Sequence, residues 1–156
     1  MILREVRTED LDEFFVHQQD TLANLMAAFA PRNPQDRGVF DFHWNSLLHD
    51  ENTIVRTIEE NGQVAGALIC LNIDEIPELS FWTAREFWDQ GITTAAVDQF
   101  LEDFQQRPIR AMVPADNAGS QKVLTRRGFE KIGEEQSFSN ARAEIITEDV
   151  LELNQP

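Results

Sequence analysis

The sequence predicts an α+β fold, a mixed α/β sheet flanked by helices. Three observations predict it. The 156 residues fall within the ~100–200 typical of one domain, so residues 1–156 are expected to form a single unit. With 42% hydrophobic and 26% charged residues, the composition is that of a globular chain rather than a disordered one. Apolar spacing switches between strand and helix periods in the order β, helices, β, β, β, α, β, α, β, β.

Each element has its own signal. Ile2 to Arg7 reads as a first strand. Thr8 offers an N-cap hydroxyl, and Glu9 and Asp10 suit the positive end of a helix dipole. Leu11, Phe14, Phe15, Leu22 and Leu25 keep near-helical spacing, so a helix or helix pair runs to about Ala28, and Pro31 and Pro34 stop it. Val39 to Leu48 is a further helix with Phe40, Trp44, Leu47 and Leu48 on one face. The clearest hairpin joins Thr53–Ile58 to Val64–Leu71 through Glu60-Asn61-Gly62-Gln63, because Asn-Gly accepts the positive φ angles of a type I′ turn. Glu78–Thr83 is the next strand and Ala84–Gln90 a loop. From Gly91 a helix runs to about Gln105, burying Ile92, Ala96, Phe100 and Phe104. Pro108–Val113 is a strand. Asp116 and Asn117 cap a short helix that ends at Arg126-Arg127-Gly128, with Gly128 placed for a left-handed conformation. Strands at about Glu130–Ser137 and Glu144–Leu153 follow.

Charge and cysteine usage narrow the function. The formal net charge is −15, and Lys122 and Lys131 are the only lysines. That argues against nucleic acid, which needs clustered Lys and Arg, and favours cationic or amine-bearing partners. A single cysteine, Cys70, excludes an internal disulfide and any multi-cysteine zinc site. Neither a signal-peptide run nor a membrane-length apolar stretch is visible, so no membrane partner and a cytoplasmic location are expected. His17, His43 and His49 share no metal-ligand spacing, and no metal is expected. Glycine patterns of dinucleotide, Walker-type and hydrolase sites are missing.

What remains is the strand-loop-helix unit from Glu78 to Phe104. Phe87-Trp88-Asp89-Gln90-Gly91-Ile92-Thr93-Thr94 lies just before a helix, whose free N–H groups make an anion cradle. Its plainer reading is a capped helix start, with Asp89 as the cap and Gly91 easing a tight turn. Asn117 is likewise readable as a plain helix cap.

Three segments occur together in order: Glu78-Leu79-Ser80-Phe81-Trp82, the Phe87–Thr94 loop, and Asn117-Ala118-Gly119-Ser120-Gln121-Lys122-Val123-Leu124-Thr125-Arg126-Arg127-Gly128-Phe129. Together they resemble the GNAT superfamily of acyl-CoA-dependent N-acetyltransferases, in particular its ribosomal-protein-alanine (RimJ/RimL-like) branch. The resemblance spans essentially the whole chain and is strongest from Trp44 to Gly133. It implies a central, mostly antiparallel sheet splayed between strands 4 and 5, with acetyl-CoA as co-substrate. Backbone groups of Phe81, Trp82 and Thr83 would pair with the pantetheine arm. Trp88, Asp89, Gln90, Gly91, Ile92 and Thr93 would hold the pyrophosphate. Asn117 would fix the pantetheine or nucleotide side, and Ser120 would sit near the thioester sulfur. Glu78 becomes the candidate base, directly or through water; its alternative is a solvated strand-edge glutamate. The helix with Phe42, His43, Trp44 and Asn45 falls where the family shapes its acceptor pocket, though its apolar members read as core.

The chain departs from that branch at Asp89, where glycine is usual, and at Thr93, where Ala or Gly is usual. Ser80 and Phe81 replace a Gly-Tyr pair. There is no tyrosine at all, so the family's usual general acid is missing; its position is Leu124. A thiol of pKa ~8.5 is only about 1.5 units above neutrality, so protonating the thiolate is worth roughly 2 kcal/mol. A lysine-type acceptor at ~10.4 needs about 4.6 kcal/mol to lose its proton, whereas an α-amine at ~7.7–8.0 needs about 1–1.4 kcal/mol. The base, or an easily neutralised acceptor, matters more than the acid. The leading expectation is acetyl transfer to a primary amine, on a small molecule or a peptide terminus, by direct attack in a ternary complex. Family precedent also allows a homodimer. The alternatives are a non-catalytic acyl-CoA-binding or regulatory module, and an interaction protein of the same fold that binds no CoA.

Overall fold

The computed structural model describes residues 1–28 and 30–155. Seven strands, β1 (Ile2–Glu5), β2 (Ile54–Glu60), β3 (Gln63–Leu71), β4 (Glu78–Thr83), β5 (Ile109–Pro114), β6 (Glu130–Ser139) and β7 (Glu144–Leu153), form one sheet. Their order is β1-β2-β3-β4-β5-β7-β6. Every neighbouring pair is antiparallel except β4 and β5, which are parallel. The helices are α1 (Asp10–His17), α2 (Thr21–Ala27), α3 (Arg37–Leu48), α4 (Ile92–Asp103) and α5 (Ala118–Arg126). None is long and apolar enough to cross a membrane.

Period-2 alternation along the strands divides the core between the two faces. Leu68, Cys70, Leu79, Ile109, Ala111 and Leu151 point to one face, where Val97, Phe100 and Leu101 of α4 and Leu124 of α5 cover them. Val55 and Ala67 point to the other, under Phe14 of α1 and Phe40 and Trp44 of α3. A smaller cluster of Ile58, Ala65, Phe87, Ile92 and Ala96 anchors the start of α4. The Asn61-Gly62 turn has φ of 52° and 76°, and Gly128 has φ 107° after α5, as the sequence predicts.

Some local expectations fail for identifiable reasons. Thr8 does not cap α1; the N-cap is Glu9, without a side-chain hydrogen bond. The carboxylate that organises this corner is Asp10. Only 2% exposed, it receives two hydrogen bonds from Arg4 (2.7 and 2.9 Å), one from the Arg7 N–H (2.8 Å) and one from the Thr57 hydroxyl (2.8 Å). The first helical stretch divides at Asp20, whose side chain caps α2 by accepting from Leu22 and Ala23 N–H. Asp36 does the same for α3 through Val39 N–H, so that helix starts at Arg37, before Val39. Leu48 and Phe42 of α3 face solvent, Phe42 being 77% exposed. Both were expected inside, but Phe40, Trp44 and the partly buried Leu47 are the residues of α3 that pack toward the sheet. The predicted Ala84–Gln90 loop contains a single 3-10 turn, Arg85–Phe87.

Two consequences can be measured. Burial pushes the Asp10 carboxyl up, but Arg4, the Arg7 N–H and Thr57 outweigh it and hold it below the usual value. Its stabilisation is therefore complete above the unfolded pKa of ~3.9 and is lost as pH falls through the folded value. Asp10→Asn should cost about 3 kcal/mol in urea unfolding at neutral pH, with the gap from wild type closing in acid; a gap that is constant with pH would refute the ion-pair account. A Cβ at Gly66 would lie 2.1 Å from the Trp82 carbonyl oxygen and 2.9 Å from Thr83 Cα, both backbone atoms. Gly66→Ala should therefore cost about 3 kcal/mol or more and lower the thermal midpoint, because β4 cannot move aside without losing its register.

Candidate active site

The parallel neighbours β4 and β5 share one register position, Glu78 opposite Arg110. Arg110 N–H donates to Pro77 O at 2.8 Å, and beyond that point the strands part. Ala84 N–H donates to Ala65 O at 2.8 Å, which sets the phase of the antiparallel β3–β4 ladder. Glu78, Ser80 and Trp82 therefore exchange main-chain bonds with β3. Leu79, Phe81 and Thr83 turn theirs toward β5, and past Glu78 no β5 residue meets them. An opening lined by main-chain groups of Phe81 and Thr83 results. One of these groups is already occupied: the Thr83 carbonyl accepts Trp88 Nε1–H at 2.7 Å. The Thr83 hydroxyl lies 2.6 Å from that of Thr93, so the side chain of Thr93 is tied down onto β4.

At the far end of β4 the chain enters α4 through two left-handed residues, Asp89 (φ 61°) and Gly91 (φ 75°). Gly91 is the N-cap, and no side chain caps the helix. Asp89 is thus not the expected cap; it is exposed and lies two residues before Gly91. The first N–H groups of this 12-residue helix are left free of side-chain partners. Ile92 is buried in the cluster with Phe87, so only its main chain can serve a ligand. Gln90 is exposed, its amide donating to Glu86 O at 2.9 Å.

The side chain of Trp82 faces away from the opening. It packs against Phe14 and Trp44, with ring centroids 5.3 and 5.8 Å apart, and its indole N–H points at His17 Nδ1. Burial pushes the His17 imidazole below its usual pKa. Beyond β5, Asn117 caps α5 by accepting from Ser120 N–H at 3.2 Å, and its amide donates to Met26 O at 3.3 Å. Both halves of that side chain are engaged. Ser120 is half-buried on the first turn of α5, and Leu124 is fully buried against α4 and β7.

The structure also gathers residues the sequence reading passed over. Arg142, between β6 and β7, donates to Leu25 O and Met26 O (2.8 and 3.3 Å) and pairs with Asp116 (2.7 Å). Ser139 hydrogen-bonds Ala28 O. The end of α2 is thereby fastened to the β6–β7 hairpin and to the loop after β5. On the same sheet face as Glu78, Arg110, Met112 and Val150 stands Glu148, 7% exposed. A charged residue at a buried position of an alternating strand, between Ile146 and Val150, is the signal that could have revealed it. Among the described residues no group of His, Cys, Asp and Glu is arranged to hold a metal ion.

Comparisons with known proteins agree with this geometry. YdaF of Bacillus subtilis, classed provisionally as a ribosomal N-acetyltransferase, is 24% identical over 82% of this chain and 75% of its own. A ribosomal-protein-alanine N-acetyltransferase from Brucella melitensis has the same fold, with a TM-score of 0.83 at 19% identity over 99% of both chains. The microcin C7 self-immunity acetyltransferase MccE, solved with acetyl-CoA and AMP, superposes with a TM-score of 0.84 at 15% identity, covering 97% of this chain and 91% of that one. Residues 1–130 match the acetyltransferase (GNAT) domain model. With its splayed β4–β5 pair and the uncapped helix start beyond it, the chain belongs to the GNAT acetyltransferase family.

Proposed function

We propose that residues 1–156 act as one domain that transfers an acetyl group from acetyl-CoA to a primary amine by direct attack in a ternary complex. The observation that carries this reading is the unpaired length of β4 leading to the uncapped N-terminus of α4. Six residues of strand span about 17 Å at ~3.3 Å per residue, so a long extended ligand arm can lie along β4. The N–H and C=O of Phe81 and the N–H of Thr83 supply the bonds that β5 does not. Free N–H groups at Gly91, Ile92 and Thr93, with the positive helix end, suit a pyrophosphate. Trp88 buttresses this end by holding the Thr83 carbonyl.

Acetyl-CoA supplies an activated acyl group on a thioester. The protein's part is to place the amine, remove its proton and stabilise charge on the acyl oxygen. Glu78, where β4 and β5 are still in register, stands at the inner end of the opening and serves as the base, directly or through water. A main-chain N–H of β4 faces the developing oxyanion. Leu124 cannot protonate the leaving thiolate, which leaves Ser120 or solvent. The segments that resemble the ribosomal-protein-alanine branch support the same chemistry without fixing the acceptor.

A non-catalytic acyl-CoA-binding role is the second reading, favoured by Asp89. Its carboxylate stands three residues before the first residue of α4, and its φ of 61° lies in the left-handed region that favours glycine. Two variants distinguish these readings. Glu78→Gln should lower kcat/KM by about 10²–10³ in a thiol-release assay with acetyl-CoA and an amine panel, while calorimetry shows CoA binding preserved. Wild-type protein that binds CoA but releases no thiol with any amine would leave the binding-module reading in its place. Asp89→Gly should tighten CoA binding about tenfold, or about 1.4 kcal/mol, since it removes the carboxylate charge; unchanged affinity would show that Asp89 points away from the phosphates.

A further inference from the structure

Thr83 ends β4 and Thr93 lies on the first turn of α4, yet their hydroxyl oxygens are 2.6 Å apart. Two hydroxyls carry two protons, and one contact between them uses only one. Burial decides which. Thr83 is buried, at 8% exposure, and among the described residues its hydroxyl bonds only to Thr93. As the acceptor it would leave its own proton unpaired inside the protein, which is the costlier arrangement. Thr83 therefore donates. Thr93, half-buried, accepts this bond and keeps its own O–H free. Other contacts hold the pair in place. The Thr83 carbonyl accepts Trp88 Nε1–H at 2.7 Å, and Ala84 N–H, next along the chain, donates to Ala65 O of β3 at 2.8 Å. Gly66 leaves room for the strand end, since a Cβ there would stand 2.9 Å from Thr83 Cα. Thr83 is thus fixed on every side, and through its hydroxyl it fixes the first turn of α4. The free O–H of Thr93 stands on the same turn as main-chain N–H groups that no side chain caps.

We propose that the Thr93 hydroxyl is a side-chain donor to the anion held at the start of α4, and that Thr83 is the positioning residue that orients it. The inference rests on the acyl-CoA reading for the identity of that anion, a pyrophosphate. A hydroxyl that accepts one hydrogen bond is polarised to donate another, and a bond to a charged phosphate oxygen is stronger than one between neutral groups. Calorimetry of the full chain should compare CoA with pantetheine, which has the extended arm and no phosphate. Valine at either position keeps the β-branched shape and removes the hydroxyl. Thr93→Val should weaken CoA binding about tenfold and Thr83→Val about threefold. Because Thr83 acts through Thr93, the double valine variant should bind no more weakly than Thr93→Val alone. Thr93→Ser and Thr83→Ser should restore CoA affinity, and pantetheine should bind all variants alike. If pantetheine binds too weakly to measure, displacement of CoA by inorganic pyrophosphate carries the comparison, with pyrophosphate also losing about tenfold in Thr93→Val. Equal losses for CoA and pantetheine would assign the pair a purely structural role and overturn the proposal. Additive losses in the double variant, failure of serine to restore binding, or unchanged affinity for CoA would overturn it too. The predicted pattern in a protein that releases no thiol with any amine would support the pair's role and sink the transferase reading alone. Wild-type protein with no affinity for CoA would refute both.

Discussion

Strands β4 and β5 meet at one register position and then separate, so the sheet is held across this seam by side-chain packing more than by a ladder. Leu79 of β4 and Ile109 and Ala111 of β5 are buried under Val97, Phe100 and Leu101 of α4. The helix bridges the seam on one face and holds the two halves at the distance that leaves the opening. On the other side of β4, Ala84 remains bonded to Ala65, which fixes the direction of the free main-chain groups. Main-chain groups without a strand partner need water or a ligand to satisfy them. Gly66 lets β3 and β4 approach closely beside Trp82 and Thr83, and the aromatic cluster of Phe14, Trp44 and Trp82 stiffens the same stretch from the opposite face.

Charge is distributed with the same economy. Arg4, Arg37, Arg85, Arg110 and Arg142 all pair with carboxylates. They fasten α1, α2, α3 and the β6–β7 hairpin. Burial, with Glu135 and Glu78 nearby, pushes the Glu148 carboxyl above its usual pKa. Protonating a thiolate is worth only roughly 2 kcal/mol at neutral pH, whereas deprotonating a lysine-type ammonium would be the larger demand on an acetyltransferase.

Much of the fold was legible in the residues. The Asn61-Gly62 turn, Gly128 after α5, the bounds of β4 and β7 and the cap at Asn117 follow from conformational preferences that act within a few residues. Thr8 and Asp89 were misjudged as caps for a common reason. A short polar side chain before a helix is a candidate cap by sequence, but Glu9 and Gly91 hold the N-cap positions, because Asp10, claimed by Arg4 of β1 and Thr57 of β2, fixes where α1 begins, and Gly91 supplies the left-handed turn before α4. Phe42 and Leu48 show the same limit on α3: helical spacing marks an apolar stripe, and the sheet has room only for part of it.

By itself the sequence determined the element order, the positions of the loop before α4 and of Asn117, and the absence of a phenolic acid, because each is a property of local residues. Only the tertiary structure decided which main-chain groups of β4 face the opening, that Trp88 takes the Thr83 carbonyl, and that Asn117 is tied to Met26. It alone brought Glu148 beside Glu135 and within the influence of Glu78. Those relations depend on strand register across β5, β7 and β6, where residues some seventy positions apart become neighbours through backbone pairing. A pattern read along one chain segment carries no record of that.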